Sequence, residues 1–334
     1  MRLFVILALV ATAIIGWTGY WFYAANQVER GIADWIDRQA KRGVQASHEG
    51  LTVGGYPFRV RVDIVRPRIS APDRPEQPFW RAENLRAVGH PWNPRHIIID
   101  LTGRHDFGAL VEGERMQWRL TTTQAMASYH AGPDGRLERL STDLTNAVLS
   151  QNASALLKSA RTQVHLRPSS TTDDLVDLAF SLNNAELGWR VPDNFGQLVE
   201  GARLQITVTG RPTSGSLPQA LAAWRDGGGT LEVQAVELDW GRLSLRGEGT
   251  LALDEAMRPM GAMTTRLKGF ELLVEAARDD GQMSAGAAVA ANAALGLLAA
   301  ANGGMLSVPV RLQNGEAFLG PARIARLAPL LPPP

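Results

Sequence analysis

Cysteine is absent from the 334 residues, so disulfides are excluded, and either side of a membrane permits that. Lysine is nearly absent, occurring only at Lys41, Lys158 and Lys268, and none of the three follows the glycine pattern of a phosphate-binding loop. An excess of charge is missing too. The 34 basic and 33 acidic residues leave a formal net charge of +1, which argues against nucleic acid as a partner. The preference for arginine over lysine reads as a genome-wide compositional bias, not as a phosphate site.

Catalytic signatures are lacking as well. No GxSxG elbow exists. Gly247-Glu248-Gly249-Thr250-Leu251-Ala252 has the spacing of a loose dinucleotide fingerprint, but it lies inside an alternating strand and not between a strand and a helix, so no cofactor is expected. The six histidines are scattered without the tight local pairing of a metal site, and no metal is expected. His96, Asp100 and His105 fall close enough together to keep a hydrolase as the least favoured alternative. Asp173-Asp174 and Asp279-Asp280 read as loop or helix-boundary residues, because catalytic carboxylates meet in space and adjacency is no evidence for them.

What is present begins at the N-terminus. Leu3 to Ala25 carries no charged side chain, and roughly 20 apolar residues suffice to span a bilayer as a helix. Trp17, Tyr20, Trp21 and Tyr23 at its far end suit an interfacial aromatic belt. Cleavage after Ala25 or Ala24 would put Tyr23 or Phe22 where a signal peptidase needs a small residue. The segment is therefore read as a retained anchor over 1–25, with a cleaved signal peptide as the alternative. Arg30, Arg38, Lys41 and Arg42 follow the span, yet long domains translocate largely regardless of such charge. The expected location is the inner membrane, single-pass, with the large domain in the periplasm.

Beyond the anchor, Val28, Ile32, Trp35 and Ile36 form an apolar stripe against Glu29, Asp34, Asp37, Arg38 and Lys41. This predicts an amphipathic juxtamembrane helix over 26–43, with Gly43 as its C-cap. The period then changes to two. Phe58, Val60, Val62 and Ile64 alternate with charged residues until Pro67. Short strands are predicted at 80–89 and 96–102 around the turn His90-Pro91-Trp92-Asn93-Pro94, and Gly132-Pro133-Asp134-Gly135 marks a reverse turn. Residues 143–160 read as strand followed by a short helix. Leu204, Ile206 and Val208 alternate, and a helix is expected from a Ser216 cap to Gly227, with Leu217, Leu221 and Trp224 on one face. Strands at 231–235 and 243–253 follow, with Gly247 and Gly249 on the buried face permitting close approach of backbone or ligand. Ala285 to Ala301 reads as a helix, and Asn314-Gly315 as a hairpin turn between strands near 308–312 and 318–319. The fold class is thus mainly β (α+β): a long curved, largely antiparallel sheet or open barrel with a few packing helices behind one transmembrane helix, 44–334 forming the β-rich domain with a possible subdivision near 211–216.

Two aromatic-proline segments stand out, Gly54-Gly55-Tyr56-Pro57-Phe58-Arg59 and Pro91-Trp92-Asn93-Pro94, with Tyr56-Pro57 and His90-Pro91 as candidate cis bonds. Together with the anchor, GGYPFRV at 54–60, HPWNPRH at 90–96 and WGRLSLRGEGTLALD at 240–254 resemble one alphaproteobacterial family, the domain of unknown function numbered twenty-one twenty-five. That resemblance implies a membrane-anchored envelope protein and brings no catalytic residues. The glycine-punctuated strands and VPVRLQNGEAFLGP at 308–321 more loosely resemble the AsmA-like envelope group, which implies long curved sheets and lipid traffic. The functional expectation is a non-enzymatic envelope protein whose sided strands offer an apolar groove to lipid. Its lining candidates are Tyr56, Phe58, Val60, Val62, Trp92, Leu243, Leu245 and Leu251. Scaffolding of envelope proteins through the helix at 27–42 and the sheet edges is the alternative.

Overall fold

A computed structural model describes residues 1–111, 113–168, 175–192, 194–210 and 217–330. The chain is mostly β, and its strands pair antiparallel among the described residues. It forms two compact units, Met1–Leu156 and Leu157–Pro334. The subdivision expected near 211–216 falls outside the described residues.

In the first unit, α1 (Arg2–Ala40) is one unbroken helix, so the apolar stretch over 1–25 and the amphipathic helix expected over 26–43 form one continuous element. It ends where Gly43 turns left-handed (φ 73), its N–H on Ala40 O and that of Val44 on Gln39 O, a Schellman closure. Six passes of strand follow. They are β1 (Gln45–Ser47) with β2 (Gly50–Gly54), β3 (Val60–Val65) with β4 (Arg68–Ser70), β5 (Phe79–Ala82) with β6 (Asn84–His90), β7 (Asn93–Asp100) with β8 (Gly103–Val111), β9 (Glu114–Thr122) with β10 (Gln124–Ala131), and the single long β11 (Leu137–Gln151). Each pass pairs with the next over both of its halves, and the last does not return to the first, so the meander is open.

The first five passes are each interrupted at the same level, and the unbroken β11 carries Asn146 at positive φ beside it, which makes a crease across the sheet. Cross-strand bonds bridge it: Glu49 N–H donates to Val65 O, Arg66 to Glu83, Leu101 to Ala125 and Thr123 to Thr145. Arg66 (φ 47), Gly103 (φ 114) and Asn146 (φ 48) take left-handed backbone there. An extra residue at a bulge resets strand alternation. The apolar positions accordingly shift from even (Val60, Val62) to odd (Ile69) within the second pass, and from Trp118 and Leu120 to Ala125 and Ala127 within the fifth. The predicted strands at 80–89 and 96–102 thus appear as halves of longer passes, with Pro67 at the crease.

In the second unit, β12 (Ser154–Pro168), which straddles the division, β13 (Leu175–Leu187), β14 (Leu198–Thr209), α2 (Leu217–Asp226), β15 (Leu231–Trp240), β16 (Leu243–Leu253) and β17 (Pro259–Lys268) lead to α3 (Phe270–Asp279) and α4 (Ala285–Ala300). The chain closes with β18 (Leu306–Gln313), β19 (Glu316–Leu319) and β20 (Ala322–Arg326). The strands again pair in chain order. Leu272 and Val274 of α3 and Leu295 of α4 pack on Leu243, Leu267, Leu306 and Leu319, forming the main core of this unit. Ser284 caps α4 by accepting from Ala287 N. Gly249 permits close pairing, since a Cβ there would run into Ala262 O and the backbone of Met263.

Two expectations need correction or limits. The short helix read at the end of 143–160 is strand: β11 turns at Asn152 and Ala153, both at positive φ, directly into β12. The Ser216 cap and the Leu217 side chain lie outside the described residues, although the helix itself and a buried Trp224 are present.

Candidate functional site

The aromatic end of the apolar helix is where the first unit is held together. Trp21 is 4% exposed and packs with Ala25 and Val60, flanked by Val28 and Val53. Indole N–H groups of the helix cap open carbonyls of the sheet turns: Trp17 Nε1 donates to Pro57 O (3.0 Å) and Trp21 Nε1 to Arg59 O (2.8 Å). Tyr20 OH donates to Pro91 O (2.8 Å), and Thr18 Oγ1 shares a hydrogen bond with Tyr56 OH (2.8 Å). Rings complete the contact: Trp92 lies 5.9 Å from Trp17 and stacks on His90 at 4.7 Å, while Tyr56 meets Trp21 edge-on at 5.5 Å. His90 Nδ1–H donates to Phe58 O, tying one turn to the other. The Tyr56-Pro57 bond is cis; His90-Pro91 is not. Both aromatic-proline segments of the sequence therefore converge on the last apolar turns of α1. The face of α1 carrying Val28, Ile32 and Ile36 continues down along β1 to β3, whereas Trp35 remains 40% exposed.

From this junction an apolar face extends across the unit. Strand neighbours directly opposite share a face. The row nearest the junction is Val60, Gly89, Ile97, Tyr129 and Leu140. The next is Val53, Val62, Ala87, Ile99, Ala127 and Thr142. Beyond the crease the row Ile69, Trp80, Phe107 and Trp118 follows. Val60, Val62 and Ala127 are buried, but Ile97, Ile99, Tyr129, Trp80, Phe107 and Trp118 are only half-buried. Among the described residues α1 is the only helix of this unit, and it lies against β1, β2 and β3. The fourth to sixth passes thus keep a half-buried apolar face on which, among the described residues, no helix of this unit is packed.

The opposite face is charged: Asp63, Arg86 and Asp100 above the crease, and Arg68, Arg81, Asp106 and Arg119 below it. Asp106 is buried and receives Arg81 (3.2 Å), Arg104 (2.9 Å) and Arg119 (2.7 Å). Burial pushes its carboxyl up, but hydrogen bonds and charge from Arg104 and Arg119 outweigh that and hold it at about 2. Such a carboxylate stays ionised and paired at neutral pH, which suits structure better than proton transfer.

The sequence-derived candidates separate. Tyr56, Phe58 and Trp92 lie at the junction and stay exposed, while Val60 and Val62 are buried beside α1 or in the adjoining row. Leu243 is in the core of the second unit, Leu245 packs against that core, and Leu251 is half-buried opposite Gly261. They belong to a different unit from the junction residues. His96 Nε2 is 3.0 Å from Ser128 Oγ, Asp100 accepts from Thr102 N, and His105 Nε2–H donates to Leu101 O at 2.6 Å while stacking on Trp80. No cluster of three metal-ligating side chains occurs among the described residues. Sequence reading missed Ile97, Ile99, Tyr129 and Trp118, whose alternation was visible only once the crease set the phase.

A family model described as "Uncharacterized protein conserved in bacteria (DUF2125)" matches residues 21–328. A search of curated proteins finds no match.

Proposed function

Since the chain belongs to the DUF2125 family of uncharacterized bacterial proteins, which supplies no reaction to start from, we propose a function from geometry: a retained, single-span membrane protein that takes up an acyl chain or similar apolar ligand. The observation that carries it is the apolar face of the first unit left without a covering helix, which begins at the aromatic end of α1, among the described residues the one helix long enough to cross a bilayer. Retention of the helix is supported by Trp21 and Ala25, which are part of the buried core and would be lost with a cleaved leader. The looser AsmA-like resemblance, with its link to lipid traffic, points the same way.

The large domain sits on the periplasmic side in this reading, because a folded region of this length translocates despite Arg38, Lys41 and Arg42. The protein acts by binding and not by catalysis, without metal or cofactor. His96, Asp100 and His105 are each engaged in local contacts, and replacing all three by alanine should leave complementation of a deletion strain unchanged. The test of the binding role is a photo-crosslinking amino acid at Ile99: covalent phospholipid adducts support it, and adducts no more frequent than at Arg86 on the charged face refute it. A second reading, docking of an envelope protein, is favoured by exposed Trp35 alone; crosslinks from Trp35 that capture only lipid count against it.

A further inference from the structure

The up-and-down path sorts the turns of the first unit between two ends. Residues 55–59, 91–92 and 132–136 lie at one end of the passes, and 71–78 at the other. α1 obeys the same polarity: it meets Pro57, Arg59 and Pro91 with Trp17 to Trp21, while a Cβ at Gly43 past its C-terminus would lie 3.5 Å from Asp73. Helical rise puts Trp17 to Phe22 roughly 21 to 28 Å from Leu3 along the axis. A hydrocarbon core is roughly 30 Å thick. The turn residues bonded to Trp17, Thr18 and Trp21 are therefore at the depth of the bilayer boundary. What protrudes there is aromatic and largely exposed: Phe58 is 66% exposed, Trp92 56% and Tyr56 48%.

Resting on the reading of α1 as a retained span, we infer that the two tips carrying Tyr56, Phe58 and Trp92 insert into the membrane beside α1. The occupant of this surface is the leaflet that the helix itself leaves. Trp and Tyr favour that boundary because their rings are apolar and their N–H and O–H groups stay hydrated or bonded. Arg59 flanks the first tip, where a long cation can reach back to headgroups. The third turn at this end carries the Asp134–Arg136 ion pair and stays in water, so insertion is confined to the side of the sheet next to α1. Insertion seats the row Val60, Gly89, Ile97 and Tyr129 at the bilayer surface, and an acyl chain then moves onto the sheet without crossing bulk water.

The absence of cysteine makes the test direct. Nitroxide labels are placed in the full chain by Phe58→Cys and Trp92→Cys, with Leu9→Cys as the reference within the span and Arg74→Cys as the reference at the distal turns. The chain is reconstituted in phosphatidylethanolamine–phosphatidylglycerol vesicles. Collision with an aqueous nickel chelate should fall severalfold at 58 and 92 relative to 74, and collision with oxygen should rise. Labels at 58 and 92 as accessible to nickel as 74, with 9 protected, overturn insertion and leave the span intact. Nickel access at 9 equal to that at 74 overturns the span itself, and the insertion with it. A measurement free of cysteine variants stands beside it: quenching of the native tryptophan fluorescence by brominated lipid should diminish in Trp92→Phe, and unchanged quenching contradicts insertion of that tip.

Discussion

Replacing Trp21 by alanine separates an anchor that is part of the fold from a leader merely attached to it. Trp21 is 4% exposed, touches Ala25 and Val60, and donates its indole N–H to Arg59 O. Truncating a large buried aromatic costs about 3–5 kcal/mol, because the cavity does not close fully. The conservative Trp21→Phe keeps most of the ring but leaves Arg59 O without that donor, a cost of about 1 kcal/mol. Leu9, 65% exposed on the same helix, has little packing to lose, so Leu9→Ala should stay within about 0.5 kcal/mol of wild type. The assay is denaturant unfolding of the full chain in a mild non-ionic detergent, followed by the far-ultraviolet circular dichroism of the strands. The expected order of midpoints is wild type and Leu9→Ala together, then Trp21→Phe, then Trp21→Ala. A Trp21→Ala midpoint equal to that of wild type refutes the reasoning, since the helix would then be dispensable to the sheet.

Asp106, held at about 2 against an ordinary 3.8, contributes about 2 kcal/mol. A depressed carboxylate stabilises above its unfolded value and loses that contribution as pH falls through the folded one. Asp106→Asn should therefore be less stable than wild type at neutral pH, and the gap should narrow between about pH 4 and pH 2; a gap independent of pH sinks the assignment. Gly249→Val forces a side chain against Ala262 O and Met263, so β16 and β17 should separate and the melting temperature fall by several degrees. Ile99→Glu places a charge on a half-buried position that water reaches when the face is empty. It should fold with near-native circular dichroism yet lose crosslinking to lipid.

How far the sequence carried the fold can be judged at particular elements. The long apolar helix, the Gly43 cap, the strand after Phe58, the Asn314-Gly315 turn and the alternation from Leu231 to Leu253 were legible because each is a local pattern. The crease was not. Its extra residues shift the apolar phase, so Val60 and Ile69, two halves of one pass, read as unrelated segments. The helix read into 143–160 shows the same limit from another side. Ala155, Leu156, Leu157 and Lys158 favour helix locally, but pairing of Leu157 with Leu187 and Lys158 with Glu186 overrides that preference. In α3, Phe270, Leu272 and Val274 are all buried and imitate a strand, because the helix is packed on more than one side. At the candidate site, Tyr56, Phe58 and Trp92 were found from their proline-aromatic context. The partner shared by Tyr56 and Trp92, the stretch Trp17 to Trp21, was visible only in three dimensions.

The most direct test of an acyl-chain-binding face is quantitative mass spectrometry of lipid retained by the full chain after extraction in mild detergent, compared with Ile99→Glu and with Leu9→Ala. Lipid loosely held around α1 should be alike in all three. The account predicts that wild type and Leu9→Ala carry additional, stoichiometric phospholipid or fatty acid that Ile99→Glu lacks. Equal lipid content in wild type and Ile99→Glu, with both folded, would contradict it.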